Sequence, residues 1–204
     1  MPYYIRVLST ATGCIPLETL QSRLKESKLE AVLSADQGTE DSWEQLILQH
    51  SYGPEIASIE RNPVGTGSLG AEELAEFADE IADARPEQAV SWLREYFRRV
   101  KCIYAFQLLS GTDYKNGWDI LYAVRNPIAS HAPSISQADG EGFSNEQGFH
   151  ILWQFSDSAH GQWNMGVLRD GQWVHFEMDL GNRDHREAFF KGEVPRGCEA
   201  QRQE

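Results

Sequence analysis

QWNMGVLRDGQWVHFEMDL, residues 162–180, is the stretch whose reading decides the fold. Two runs that alternate apolar and polar side chains, Gln162 to Leu168 and Gln172 to Leu180, flank Asp170-Gly171. An Asp-Gly pair in that setting predicts a two-residue type I′ turn, because both central residues must take positive φ. Placing Arg169 opposite Gln172 sets the register. Val167 then faces Val174, Met165 faces Phe176 and Trp163 faces Met178, so one side of the ribbon is apolar and belongs to the core.

The other side pairs Leu168 with Trp173, Gly166 with His175 and Asn164 with Glu177. Gly166 leaves a hollow beside the imidazole. A histidine and a carboxylate two residues apart on one strand face form an acid–base pair, and Trp173 supplies an aromatic wall. With His150 and Gln154 from a neighbouring strand, the candidate ligand-binding set is His175, Glu177, Asn164, Trp173, His150 and Gln154. No catalytic residue is assigned. The plainer reading is a helix packed on this face, or a face left to water.

Working outward, residues 3–9 (YYIRVLS) read as a strand, and Pro16 opens a helix whose Leu17, Leu20 and Leu24 share a face. Leu29 to Leu33 reads as a strand, Ser34 to Ser42 as an acidic loop, and Trp43–His50 with Glu55–Arg61 as a hairpin. Two helices follow at 71–83 and 86–100. The first sets Leu74, Phe77 and Ile81 against an acidic face, and the second, opened by Pro86, aligns Val90, Leu93, Phe97 and Val100. Beyond them, Lys101 to Leu109 and the helical spacing of Trp118, Leu121, Tyr122 and Arg125 echo the opening strand and helix about 101 residues on. Echoes at 135–140 and 149–153 suggest a tandem duplication of a β-α-β-β-β unit. The expected fold is α+β, mainly antiparallel sheets with flanking helices. Its halves are 1–100 and 101–204, packed as two units or as one domain.

Eighteen basic residues against 31 acidic ones give a charge of −13 in 204 residues, which leaves little to neutralise a phosphate backbone. Nucleic acid is excluded as a direct partner. No apolar run approaches the roughly 20 residues of a bilayer span. The N-terminus lacks a basic start followed by an apolar stretch, and cysteines at 14, 102 and 198 form neither a disulfide framework nor a CxxC pair. The expected location is the reducing cytoplasm.

Gly65-Thr66-Gly67-Ser68-Leu69-Gly70 matches GxGxxG by letter. The strand before it is half polar and follows a hairpin, where a dinucleotide site needs a parallel βαβ unit, so the reading preferred is a connection with Ser68 or Gly70 capping the next helix. Histidines at 50, 131, 150, 160, 175 and 185 hold no metal-ligand spacing. Residues 139–146 miss the EF-hand order and read as a turn with solvated acids. Neither a metal nor a cofactor is expected, and enzyme activity is not favoured.

Six tryptophans, seven tyrosines and the acidic segments 36–44 and 139–146 suit an interface with aromatic anchors and steering charge. The expected function is therefore non-catalytic binding of a basic protein, as an inhibitor or immunity-type protein would bind. The competing expectation is a small-molecule sensor or enzyme with a cleft between the halves that uses His175 and Glu177. A third is a structural homodimer.

Overall fold

In the computed structural model, which describes residues 2–199, these periodicities become ten strands and five α-helices. In chain order they are β1 (Tyr3–Ser9), α1 (Leu17–Glu26), β2 (Ala31–Gly38), β3 (Trp43–His50), β4 (Glu55–Pro63), α2 (Leu69–Glu80) and α3 (Glu87–Phe97). Then come β5 (Cys102–Leu108), a 3-10 turn (Ser110–Asp113), α4 (Gly117–Ser130), β6 (Ser134–Ala138), β7 (Gly142–Ser144), β8 (His150–Trp153), β9 (Gln162–Arg169), β10 (Gln172–Asp179) and α5 (Arg183–Phe190). The fold is α+β, with mainly antiparallel pairing and flanking helices. No helix among the described residues is long and apolar enough to cross a membrane.

The chain divides into two compact units, residues 1–72 with 100–134, and residues 73–99 with 135–204. This differs from the expected halves 1–100 and 101–204. The reason is that β5 pairs with both β1 and β4, so the segment after residue 100 completes the first unit's sheet. The order strand, helix, three strands does recur as β1-α1-β2-β3-β4 and β5-α4-β6-β7-β8. The pairing does not repeat with it: β4 meets β5 antiparallel, whereas β8 meets β9 in parallel. The topology does not show a tandem duplication.

In the first unit the strand order is β1-β5-β4-β3-β2, every pair antiparallel. Register puts Ile5, Val7, Tyr104, Phe106, Ile59, Leu46, Leu48 and Leu33 on one face, all buried. The stripes Leu17, Leu20, Leu24 of α1 and Ile120, Leu121, Val124, Ile128 of α4 are buried as well, as an apolar period of 3.6 requires. Polar tips in this core are satisfied: Tyr104 Oη donates to Gly13 O at 3.0 Å, and Trp43 Nε1 donates to Ile15 O at 2.8 Å.

The second unit orders its strands β10-β9-β8-β7-β6. One ribbon face of β9 and β10 carries Met165, Val167, Phe176 and Met178, which join Leu180 and Phe189 of α5 in a buried cluster. Asn182 caps α5, its side chain accepting from the amides of Asp184 and His185 at 3.0 and 3.4 Å. Elsewhere in the unit Phe143 of β7 meets Phe77 edge-on at 5.6 Å and Phe97 at 5.6 Å, fastening α2 and α3.

Two expected loops are corrected. Residues 34–38 continue β2, because Ser34, Ala35 and Gln37 pair with Ile47, Leu46 and Gln45, and only 39–42 turn. Backbone pairing at an outer strand tolerates polar side chains that face water. Residues 139–146 are a turn only toward their ends, at 139–141 and 146: Gly142–Ser144 form β7, and Phe143 and Asn145 are buried.

The two ribbon faces should answer mutation unequally. Phe176→Ala is expected to cost about 3–5 kcal/mol, while Asn164→Ala, at an exposed position of the other face, costs under about 0.5 kcal/mol. Urea denaturation of both variants checks this, and the reverse order would mean that the register is off by one residue.

Candidate functional site

Asp170 at φ 49° and Gly171 at φ 79° make the turn that their chemistry favours, and the ladder is uninterrupted from Arg169↔Gln172 to Gln162↔Asp179. His175 lies opposite Gly166, Trp173 opposite Leu168 and Glu177 opposite Asn164. The hollow at Gly166 is filled. The His175 ring lies flat on Phe149, centroids 3.7 Å apart and planes within 5°, and Ile151 also closes on the glycine. Trp173 meets Trp92 of α3 edge-on at 5.1 Å, so a helix does pack on this face. Asn164 and Glu177 are exposed, and His175 is only 5% exposed.

Asn145 decides the protonation state of His175. Its Oδ1 accepts the amides of Gln147 and Phe149 at 3.1 and 2.9 Å, which leaves Nδ2 to donate to His175 Nε2 at 3.1 Å. Nε2 must therefore be the acceptor and the proton must sit on Nδ1. A second proton would point at an NH2 group. Burial likewise pushes the His175 pKa down. Sequence reasoning missed Asn145 and Phe149. The turn chemistry of Asn145 and Gly148, the latter at φ 83°, marked a loop, while its docking onto a strand 30 residues on had no local signal.

His150 is not brought to His175. It packs against Trp163 and Phe155, at 5.6 and 4.7 Å, and Trp163 lies on the Met165 face of the ribbon. Its Nε2 donates to Glu141 O at 2.8 Å, and its Nδ1 accepts from Ser144 Oγ at 3.3 Å. Burial drives its pKa down to about 4, against the weaker opposing pull of backbone hydrogen bonds. Gln154 is half-buried just past β8, its backbone N–H donating to Glu141 O at 3.0 Å. The expected set thus separates: His175 and Trp173 are packed, Asn164 and Glu177 open to solvent, and His150 belongs to the opposite side of the ribbon.

Other chemistry is equally restrained. Burial raises the pKa of all three thiols, Cys102 to about 11, so none is poised as a thiolate nucleophile. Among the described residues no three His, Cys, Asp or Glu side chains converge as a metal site requires. Ser68 caps α2, its Oγ accepting from the amides of Ala71 and Gly65 at 3.2 and 2.9 Å, which accounts for the GxGxxG letters.

What the surface of the first unit does offer is aromatic. Tyr52, in the β3–β4 turn, is 98% exposed, and Tyr114, Trp118 and Tyr122 are exposed at 59%, 41% and 42%. Tyr52 and Tyr114 line an open groove of about 470 Å3, with His50 and the Ile120 side of α4 in its wall. Trp118 and Tyr122 stand one turn apart on α4, rings 5.8 Å apart. Lys28, Lys115 and Glu30 edge the groove, giving its rim a formal charge of +1.

The folded His150 stays neutral down to about pH 4, whereas an ordinary histidine takes up its proton near 6.5. Between those values the unfolded chain binds more protons, so stability present in full above about pH 6.5 is lost as pH falls toward 4. The loss by about pH 4.5 is on the order of 2–3 kcal/mol. In urea titrations at about pH 7.5 and pH 4.5, His150→Gln should lose that much less than the parent. Equal losses would show that His150 is not the buried neutral base.

Comparison with known proteins finds no family model that matches the chain, and no significant match among curated proteins or among solved structures.

Proposed function

We propose that this chain is a non-catalytic protein-binding module that engages a basic protein, as an inhibitor or immunity-type protein does. The observation that carries the reading is the set of exposed aromatic side chains on the first unit: Tyr52, Tyr114, Trp118 and Tyr122. Rigid amphipathic rings give up little side-chain entropy on contact, and an exposed apolar concentration of this kind marks interaction surfaces. The charge of −13 supplies long-range attraction for a basic partner, while aromatic contact supplies the short-range affinity.

A small-molecule site on His175 and Glu177 has less support. The imidazole is stacked, hydrogen-bonded and held neutral, and the carboxylate stands in solvent.

The test is affinity capture at low ionic strength, with the captured protein identified and its affinity remeasured. The partner should be basic, binding should weaken as salt is raised, and Tyr52→Ser combined with Trp118→Ser should weaken it at least about tenfold without moving Tm. Retention of no basic protein, or binding indifferent to salt, overturns the reading.

A further inference from the structure

The groove on the first unit is bounded by three separate segments: 28–30 after α1, 50–54 at the β3–β4 turn, and 114–116 leading into α4, with Ile120 in its wall. These segments are fastened to the fold and to one another. Ser51 N donates to Glu30 O at 3.0 Å, and His50 Nε2 donates to Gly111 O at 2.9 Å. Gly111 sits where a Cβ would meet Glu55 O at 2.5 Å, and its carbonyl also accepts from Tyr114 N at 3.2 Å. The His50 ring packs 6.0 Å from that of Tyr114. At about 470 Å3 the groove has the size of a small-molecule site, and its walls are preformed.

Backbone conformation singles out the same place. Among the described residues three that are not glycine sit at positive φ: Lys28 at 56°, Asn116 at 64° and Asp170 at 49°. Asp170 belongs to the ribbon turn, and the other two line the groove. Sparsely populated backbone geometry of this kind clusters at ligand sites. Lys28 is the more telling. Leu29 N bonds Leu24 O at 3.1 Å and Lys28 N bonds Lys25 O at 3.0 Å, the pairing that ends a helix over a left-handed residue, most often glycine. A lysine there strains the backbone where glycine would not, and what it adds is an ammonium at the groove.

Charge and surface define the ligand. The ammoniums of Lys28 and Lys115 and the carboxylate of Glu30 give a rim of +1 in a chain of −13, so a monoanion brings the rim to neutrality. Tyr52 and Tyr114, 98% and 59% exposed, offer flat apolar contact together with Ile120. The Ser51 hydroxyl and the Asn116 amide, also in the lining, are hydrogen-bond donors that suit a carboxylate.

We propose that this groove binds a small aromatic monocarboxylate, its ring against the tyrosine side chains and its carboxylate held by Lys28 and Lys115. The lysines select the charge, and the tyrosines supply the apolar contact. The site goes beyond the reading of a basic protein partner and stands without it, since such a partner answers to the overall negative charge and this ligand to a local positive one.

The probes are 2-naphthoate, the cation 2-naphthylmethylamine and the neutral 2-naphthalenemethanol, each titrated into the full chain at low salt while backbone amide resonances are followed. Naphthoate should shift the amides of Lys28, Tyr52, Tyr114 and Asn116 saturably, and tighter than either counterpart by about fivefold or more. Overall charge favours the amine, so only the local lysines can produce that order. Lys28→Gly and Lys115→Gln should each weaken naphthoate about fivefold. Lys28→Gly should do so with Tm unchanged or raised, because glycine relieves the positive φ. No saturable shift at these amides, equal binding of the acid and the neutral alcohol, or affinity untouched by both lysine variants overturns the proposal. Because the probes are synthetic, that failure leaves capture of a basic protein unaffected, and failed capture leaves the naphthoate result standing.

Discussion

The second unit depends on two successive positive φ angles. Asp170 at 49° and Gly171 at 79° give the β9–β10 ribbon a turn whose twist matches its strands, and that turn sets every pair down to Gln162 and Asp179. Because side chains alternate strictly along a strand, the same register sends Met165, Val167, Phe176 and Met178 into the cluster with Phe189 and turns His175 toward Phe149. A slip of one residue would exchange the two sets.

The histidines show how packing settles chemistry. His175 beside Glu177 reads as an acid–base pair in sequence, yet a base has to change its protonation state in use. Asn145 denies His175 that change, since its amide oxygen is already taken by two backbone donors and only its NH2 can face the imidazole. His150 is denied it by burial and by a carbonyl acceptor on Nε2. Both rings act as flat, neutral packing pieces: His150 has both ring nitrogens bonded, and His175 has its Nε2 bonded to Asn145.

Much of the fold was legible because local pattern and tertiary context agree: the Asp-Gly ribbon, the leucine stripe of α1, the β3–β4 hairpin, and the acidic helix with its aromatic underside. The misses fall where context overrides pattern. The polar residues 34–38 belong to a strand because one outer edge needs no apolar alternation, and β7 is three residues long, too short for any period to register. His150 was placed on the wrong side because the parallel contact His150↔Met165 brings it to the Met165 face, and nothing local announces a parallel neighbour. Within the candidate site, the pairing of His175, Gly166, Trp173 and Glu177 could be read from the ribbon. The partners that fill it, Asn145, Phe149 and Trp92, come from distant segments and could not.

While His150 spends both ring nitrogens inside the fold, other side chains keep their contacts on the outside. Tyr52, Tyr114, Trp118 and Tyr122 keep apolar area in water. Such area is a liability in a chain with no partner, since exposed apolar patches invite indiscriminate association. Net charge of −13 restrains that association between like copies by mutual repulsion, while it attracts cationic surfaces. On the proposed reading, the same charge keeps like copies apart and favours a cationic partner for the exposed aromatics.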